Sequence, residues 1–177
     1  MSTQSTFTLV KGQDLSARER AEILSLCSRA YRLDYEPFYG TFADPVHVLA
    51  RQDGTLVSHA LWVTRWLQPG TLPVLRTAFV EAVATDPAYQ GRRLATAVMR
   101  ALHAGILDFD LGGLSPARYG LYTRLGWELW RGPLFIRTDD GPLATPDEEV
   151  MILRLPRTPP LDLDVSLSAE WREGELW

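Results

Sequence analysis

Two stretches of the sequence carry residue types that can do chemistry on their own account. The first is Gln90-Gly91-Arg92-Arg93-Leu94-Ala95, a turn that enters a helix beginning near Leu94. A helix start presents backbone N–H groups without carbonyl partners, and the helix dipole favours an anion there. Gly91 lets that backbone approach a ligand closely, and Arg92 and Arg93 add positive charge. Such a turn suits a phosphorylated cofactor; the same six residues also read as an ordinary solvated basic turn between a strand and a helix. The second is Glu81, the only acidic residue in the strand Phe79-Val80-Glu81-Ala82-Val83-Ala84. A carboxylate in an apolar strand is costly unless it faces a cleft or a partner, so Glu81 is a site candidate.

Charge placement adds a third signal. The net charge is −4, but residues 1 to 138 carry 15 Lys+Arg against 12 Asp+Glu, whereas residues 139 to 177 carry 3 against 10. The acidic end would repel nucleic acid and attract a cationic ligand, or serve only as a solubilising tail. No basic stripe suggests a nucleic-acid partner. The pattern G-x-x-x-x-G-K-S/T is absent, as is G-x-G-x-x-G, which removes support for a nucleoside triphosphatase or a dinucleotide site. His47, His59 and His103 show no metal-ligand spacing, so no metal is expected. The single cysteine, Cys27, lies on a helical apolar face and reads as core. MSTQSTFTLVKGQ lacks the basic start and apolar core of a signal peptide, and no apolar run approaches the length of a membrane span, so the expectation is a cytoplasmic protein without a membrane partner.

The elements that must position these residues follow from periodicity. At 177 residues and 46% hydrophobic, the chain fits one domain, residues 1–177, with a substantial core. Phe7 and Leu9 alternate with Thr6 and Thr8 as a first edge strand. Ser16 and Glu19 make a capping-box pattern before a helix whose apolar face is Ile23, Leu26, Cys27, Ala30 and Tyr31. Arg32 to Asp44, aromatic and acidic with Pro37 and Gly40, reads as a loop that lines a ligand site or caps a core edge. Asp53-Gly54 joins two strands, His47 to Gln52 and Thr55 to Leu67, as a hairpin. His59, inside the second, reads as packed rather than catalytic. A strand from Leu72 to Thr85 ends at Asp86-Pro87, and Leu94, Ala97, Val98, Ala101, Leu102 and Gly105 form one face of the next helix. Phe109 to Leu114 is a strand in which Gly112-Gly113 would admit a ligand closely. Ser115 and Pro116 read as the N-cap and first position of a second helix, with Gly126 at its C-terminal cap. Strands at Glu128 to Trp130, Leu134 to Arg137 and Val150 to Leu155 complete an α+β or mixed α/β sheet of six or seven strands with flanking helices, against which the last 22 residues pack.

Gln90 to Ala95 resembles the Gln/Arg-x-x-Gly-x-Gly/Ala acyl-coenzyme A pyrophosphate loop of the GNAT superfamily of N-acetyltransferases, with Arg93 standing where that pattern has glycine. Leu121-Tyr122-Thr123-Arg124-Leu125-Gly126-Trp127 resembles the superfamily's downstream Tyr-x-x-x-Gly-Trp segment, at the expected distance. Within that superfamily nearly the whole chain resembles the aminoglycoside 2′-N-acetyltransferases. The markers are the Phe-Val-Glu-Ala-Val-Ala strand, Trp-x-Gly-Pro at 130 to 133, Thr-Pro-Asp-Glu at 145 to 148, and an ending in Trp-Arg-x-Gly-Asp/Glu-x-Trp. The resemblance implies a strongly twisted mixed sheet whose central strands, ending near Thr85 and Leu114, splay apart around the pantetheine arm of acetyl-CoA.

It also implies roles. Val83, Ala84 and Thr85 would pair their backbone with pantetheine, and Gln90, Gly91, Arg92, Arg93, Leu94 and Ala95 would bind the pyrophosphate. Tyr122 would be the general acid that protonates the departing thiolate; from the residues alone it reads as an aromatic on a buried helix face. Glu81 would bind the reactive amine and help to remove its proton. Asp34, Ala82, Ser115, Glu148, Glu175 and Trp177, with its carboxylate, would contact the aminoglycoside. The implied activity is acetyl transfer from acetyl-CoA to a 2′-amine, conferring antibiotic resistance, by a protein that the family suggests is a homodimer. Two rivals stand beside it: a GNAT enzyme for another small polyamine-like substrate, and a non-catalytic acyl-CoA-binding regulator. Around Glu36 to Tyr39 a family carboxylate has no clear counterpart.

Overall fold

A computed structural model of the protein describes residues 5–177. These form two compact units, one made of residues up to Val63 with Val80–Gly105, the other of Thr64–Phe79 with Ile106–Trp177.

In the first unit, β1 (Ser5–Lys11) pairs antiparallel with β2 (Val46–Gln52), and β2 with β3 (Thr55–Pro69), of which the part up to Val63 belongs here. The β2–β3 turn is Asp53-Gly54, both at positive φ (48° and 80°), as a tight hairpin with right-twisted strands requires. Between β1 and β2 lie α1 (Ala17–Tyr31) and the single turn α2 (Glu36–Tyr39). Both halves of the Ser16–Glu19 capping box are formed, and Ile23, Leu26 and Cys27 are buried, the expected face. Each such aliphatic side chain contributes about 1.5–3 kcal/mol on burial. β4 (Leu75–Thr85) enters this unit at Val80, and α3 (Leu94–Gly105) follows, burying Leu94, Val98, Met99 and Leu102. At Gly105 an added Cβ would stand 2.7 Å from Leu9 and 3.0 Å from Trp62, so only glycine lets α3 end that close to the strands.

The second unit takes the remainder of β3 and β4 and adds β5 (Leu111–Leu114), the short α4 (Tyr119–Thr123), β6 (Glu128–Leu129), β7 (Leu134–Thr138), β8 (Gly141–Ala144), β9 (Met151–Arg154) and β10 (Leu167–Glu170). The strand order runs β6-β9-β5-β4-β3-β10-β7-β8. β10 is parallel to β7 and antiparallel to β3, so the curled sheet is mixed, as expected. Among the described residues no helix is long and apolar enough to cross a membrane.

Four local expectations fail. Among the described residues there are ten strands rather than six or seven; β8 and β10, ladders of four residues each, are too short to show a period. β8 arises inside the polar segment at residues 138–149, where no strand is expected: Asp139-Asp140 turns the chain so that Thr138 faces Gly141. Ser115 does not cap α4. The helix starts only after Arg118, an extended N-cap (φ −150°, ψ 121°) with no side-chain bond, three residues beyond Ser115. Finally, Gly112 and Gly113 make room for the protein's own core: added Cβ atoms would meet Leu153 and Trp127, and Phe79 and Thr77, at 2.8–3.2 Å.

Candidate active site

The candidate residues fall in both units. In the first, β4 runs through Glu81, half-buried, to Thr85, and Asp86 ends it. The Asp86 carboxylate accepts from the Ala88 N–H at 2.9 Å and pairs with Arg29 at 2.6 Å, which fixes the turn over Pro87 to Tyr89. Gln90 to Arg93 is exposed. Gly91 has φ 77° with nothing within 4 Å of an added Cβ, so its glycine is needed for backbone conformation in open space rather than for packing. Arg93, which stands where the family pattern has glycine, also lies in the left-handed region (φ 60°), a conformation that favours glycine. Leu94 is buried, so only its backbone can face a ligand. The first bond of α3 runs from the Ala97 N–H to the Arg93 carbonyl at 3.1 Å. The N–H groups of the residues before Ala97 therefore have no carbonyl in their own helix. Arg92 stacks over the Tyr89 ring at 5.0 Å, which leaves its charge at the rim of this turn.

β4 has a feature the sequence does not announce. Ala82, buried and not glycine, has φ 51° in mid-strand. From there three consecutive carbonyls accept bonds from side chains: Ala82 from His59 Nδ1 at 2.9 Å, Val83 from the Tyr31 hydroxyl at 2.9 Å, and Ala84 from Ser58 Oγ at 3.0 Å. Ser58 also meets Thr85 Oγ1 at 2.9 Å. Tyr31, expected on the apolar face of α1, is thus an exposed donor to β4. It brings the segment carrying Asp34 to that strand; Asp34 Oδ1 accepts from the Glu36 N–H at 3.2 Å. His59 is packed, as expected, yet it is bonded to His47 at 2.9 Å. Cys27 is a buried thiol whose pKa burial pushes up to about 12. No group of three His, Cys, Asp or Glu side chains among the described residues is arranged to hold a metal.

In the second unit Tyr122 is 8% exposed, edge-on to the Trp127 ring at 6.3 Å, and burial pushes its phenol up to about 12. At neutral pH it keeps its proton. The N–H groups of Leu125 and Trp127 both bond to the Tyr122 carbonyl, which fixes the turn closing α4. Ser115, just after β5, is exposed. The acidic end is organised around Trp177. Its indole is buried and donates to Thr145 Oγ1 at 2.8 Å, on the same turn in which the Glu148 N–H bonds to the Thr145 carbonyl at 3.2 Å. Glu148 and Glu175 are exposed. Buried Arg65 anchors the segment, with Nε to Glu170 Oε1 at 3.0 Å, Nη2 to the Glu170 carbonyl at 2.7 Å and Nη1 to the Leu176 carbonyl at 2.8 Å. Sequence reasoning passed over Arg65; an arginine among the apolar residues of β3 is the signal that pointed to it.

Comparison with known proteins agrees with this architecture. The family model for the acetyltransferase (GNAT) domain matches residues 14–130. An aminoglycoside 2′-N-acetyltransferase of Mycolicibacterium fortuitum is 32% identical over 163 residues, covering 84% of this chain and 83% of that protein. Among solved structures, a GNAT family N-acetyltransferase of Escherichia coli in complex with CoA matches with a TM-score of 0.67 at 16% identity, over 98% of this chain and 92% of that one. A GNAT acetyltransferase of Brucella melitensis in complex with acetyl-CoA matches with a TM-score of 0.58 at 16% identity, over 90% and 94%. Against three larger proteins of similar fold the chain spans about a third of their length (33%, 34% and 32%). The chain therefore belongs to the GNAT superfamily, in the family of the aminoglycoside 2′-N-acetyltransferases, and is an N-acetyltransferase that takes its acetyl group from acetyl-CoA.

Proposed function

We propose that the protein acetylates the 2′-amine of aminoglycoside antibiotics, acting in the cytoplasm as a resistance enzyme, with residues 1–177 working as one acetyltransferase domain. The observation that carries the reading is the built C-terminal segment. Buried Trp177 on Thr145, and Arg65 on Leu176 and Glu170, fix the segment up to Trp177; Glu175 is exposed on it and Glu148 on the Thr145 turn. Aminoglycosides are polycations. One exposed ion pair contributes only about 0.2–1 kcal/mol, so recognition needs several carboxylates held at set positions. In this reading the candidate carboxylates are Asp34 and Glu81 of the first unit and Glu148 and Glu175 of the second, with Ala82, Ser115 and Trp177 as further contacts.

In this reading the backbone of Val83, Ala84 and Thr85 pairs with pantetheine. The Val83 carbonyl, already taken by Tyr31, has a second lone pair to offer. Gln90 to Ala95 hold the pyrophosphate through backbone N–H groups and the charges of Arg92 and Arg93. Acetyl-CoA supplies the thioester. Glu81 orients the acceptor amine and takes its proton, directly or through water, as the nitrogen attacks the carbonyl carbon. The C–S bond breaks, and the thiolate takes the Tyr122 proton, which burial retains until thiolate charge develops. Solvent returns a proton to the phenolate, and the proton on Glu81 leaves to water, so the cycle balances.

Thiol release from acetyl-CoA tests the reading, measured with drugs that bear a 2′-amine and with matched drugs that bear a 2′-hydroxyl. Turnover of the first group alone is expected; equal turnover of both, or of simple polyamines only, would assign the enzyme another acceptor.

A further inference from the structure

We infer that His59 is a positioning residue for β4: at the end of a one-way hydrogen-bond chain from Tyr39 through His47, it holds the Ala82 carbonyl and with it the left-handed turn that sets Glu81 and Val83–Thr85. The inference rests on the reading of Val83–Thr85 as the cofactor edge.

The starting observation is Ala82 at φ 51° in mid-strand. An alanine in that region is disfavoured by sterics and persists only where its surroundings over-determine it. The proton positions of the group that holds it follow from one end. A carbonyl only accepts, so His59 Nδ1, 2.9 Å from Ala82 O, carries the hydrogen. A neutral ring then has its lone pair on Nε2, so His47 Nδ1, 2.9 Å away, must donate. That leaves His47 Nε2 to accept from the Tyr39 hydroxyl at 3.4 Å. A proton added to His59 Nε2 would set two N–H groups against each other, so between the two rings the chain runs in one direction only. Both histidines are 0% exposed and Tyr39 6%, with the Arg20 guanidinium over the Tyr39 ring at 4.8 Å. Cys27 Sγ lies 3.9 Å from His59 Nδ1. A buried polar chain is costly unless every member is satisfied, and a leucine would fill the space at His59 more cheaply. What the chain gains is a fixed donor on the one carbonyl that follows Glu81.

Two substitutions in the full-length protein separate positioning from packing. His59→Leu keeps most of the volume and loses the donor; His59→Asn keeps an N–H near Nδ1 and loses volume. A packing role ranks both stability and activity Leu above Asn. The inference predicts opposite rankings: His59→Leu melts higher, yet its kcat falls on the order of tenfold or more below that of His59→Asn. The asparagine variant keeps its affinity for coenzyme A. Activity that follows melting temperature would overturn the inference. Nitrogen NMR of the unaltered protein gives a second readout that needs no variant to fold. His59 and His47 should both be neutral with the hydrogen on Nδ1, and an Nε2–H form of His59 would overturn the inference whatever the kinetics. Amide shifts of Val83 to Thr85 on adding coenzyme A test the underlying reading separately. If they stay unmoved, the cofactor edge lies elsewhere, and the histidine tautomers still report on His59 alone.

Discussion

The Arg65 guanidinium donates to the Leu176 carbonyl at 2.8 Å across 111 residues of sequence, from a position 1% exposed to solvent. The same side chain makes two bonds to Glu170, so one cation in β3 secures both β10 and the segment that ends in Trp177. Lysine cannot bridge three acceptors in this fork geometry. Arg65→Lys should lower unfolding stability by about 1–3 kcal/mol, the cost of buried acceptors left unsatisfied. It should also raise KM for the aminoglycoside more than KM for acetyl-CoA. Denaturant unfolding and steady-state kinetics check both; equal effects on the two KM values would detach the tail from the acceptor site.

Removing Glu175 to Trp177 probes the same segment more severely. It takes away one carboxylate and the indole bond to Thr145. The expected outcome is a strong rise in KM for the drug at low salt with nearly unchanged acetyl-CoA affinity by calorimetry. A truncated protein that acetylates as well as the parent would make the segment a solvated end.

Tyr122→Phe keeps the ring against Trp127 and removes only the hydroxyl. If that hydroxyl protonates the thiolate, kcat should fall roughly 10²- to 10⁴-fold with substrate binding retained. Near-normal turnover would leave Tyr122 as a packing residue.

Gly91→Val places a β-branched side chain at φ 77°. The turn, where nothing packs, rearranges to relieve the strain, so coenzyme A binding should weaken on the order of tenfold or more, a much larger effect than the loss of thermal stability. Arg93→Gly relieves a left-handed arginine and should leave binding detectable but less dependent on salt. Unchanged affinity of Gly91→Val by calorimetry would remove the pyrophosphate from this turn.

The buried histidines give a pH dependence whose sign is fixed. Burial lowers His47 to about 4 from 6.5 and depresses His59 as well, His47 adding to that depression. Because the folded values lie below the unfolded one, the unfolded chain binds more protons as pH falls. Stability that is complete above pH 6.5 is therefore lost from there down toward pH 4. The slope approaches about 1.4 kcal/mol per pH unit for each histidine. Between pH 6.5 and 5 the carboxylates contribute little; Glu22, held low by its bond to Arg51, departs from an ordinary value of 4.5. Thermal melts across that window should slope downward toward acid, and more shallowly in His59→Leu. A flat profile would mean that the rings are protonated or solvent-accessible.

What the sequence shows and hides follows from range. Asp53-Gly54, the Ser16–Glu19 box and the Gly91 turn are local devices, each satisfied within four residues, and each forms where the pattern places it. Ser115 carries a local signal too, yet the helix starts three residues later, after Arg118. The partners that shape β4 are not local: His59 is 23 residues from Ala82 and Tyr31 is 52 from Val83. No spacing rule links such pairs, and the left-handed Ala82 leaves no trace in an alanine. Glu81 was legible because a lone carboxylate in an apolar strand demands an explanation. His59 was not, because a histidine beside tryptophans in a strand looks like core, which it also is.

The most direct test of the account is the identity of the acetylated nitrogen. Product formed from acetyl-CoA and an aminoglycoside bearing a 2′-amine, isolated and examined by two-dimensional NMR, should carry one acetyl group, on the 2′-nitrogen. An acetyl group on any other nitrogen, or no product from such drugs while acetyl-CoA still binds, would contradict it.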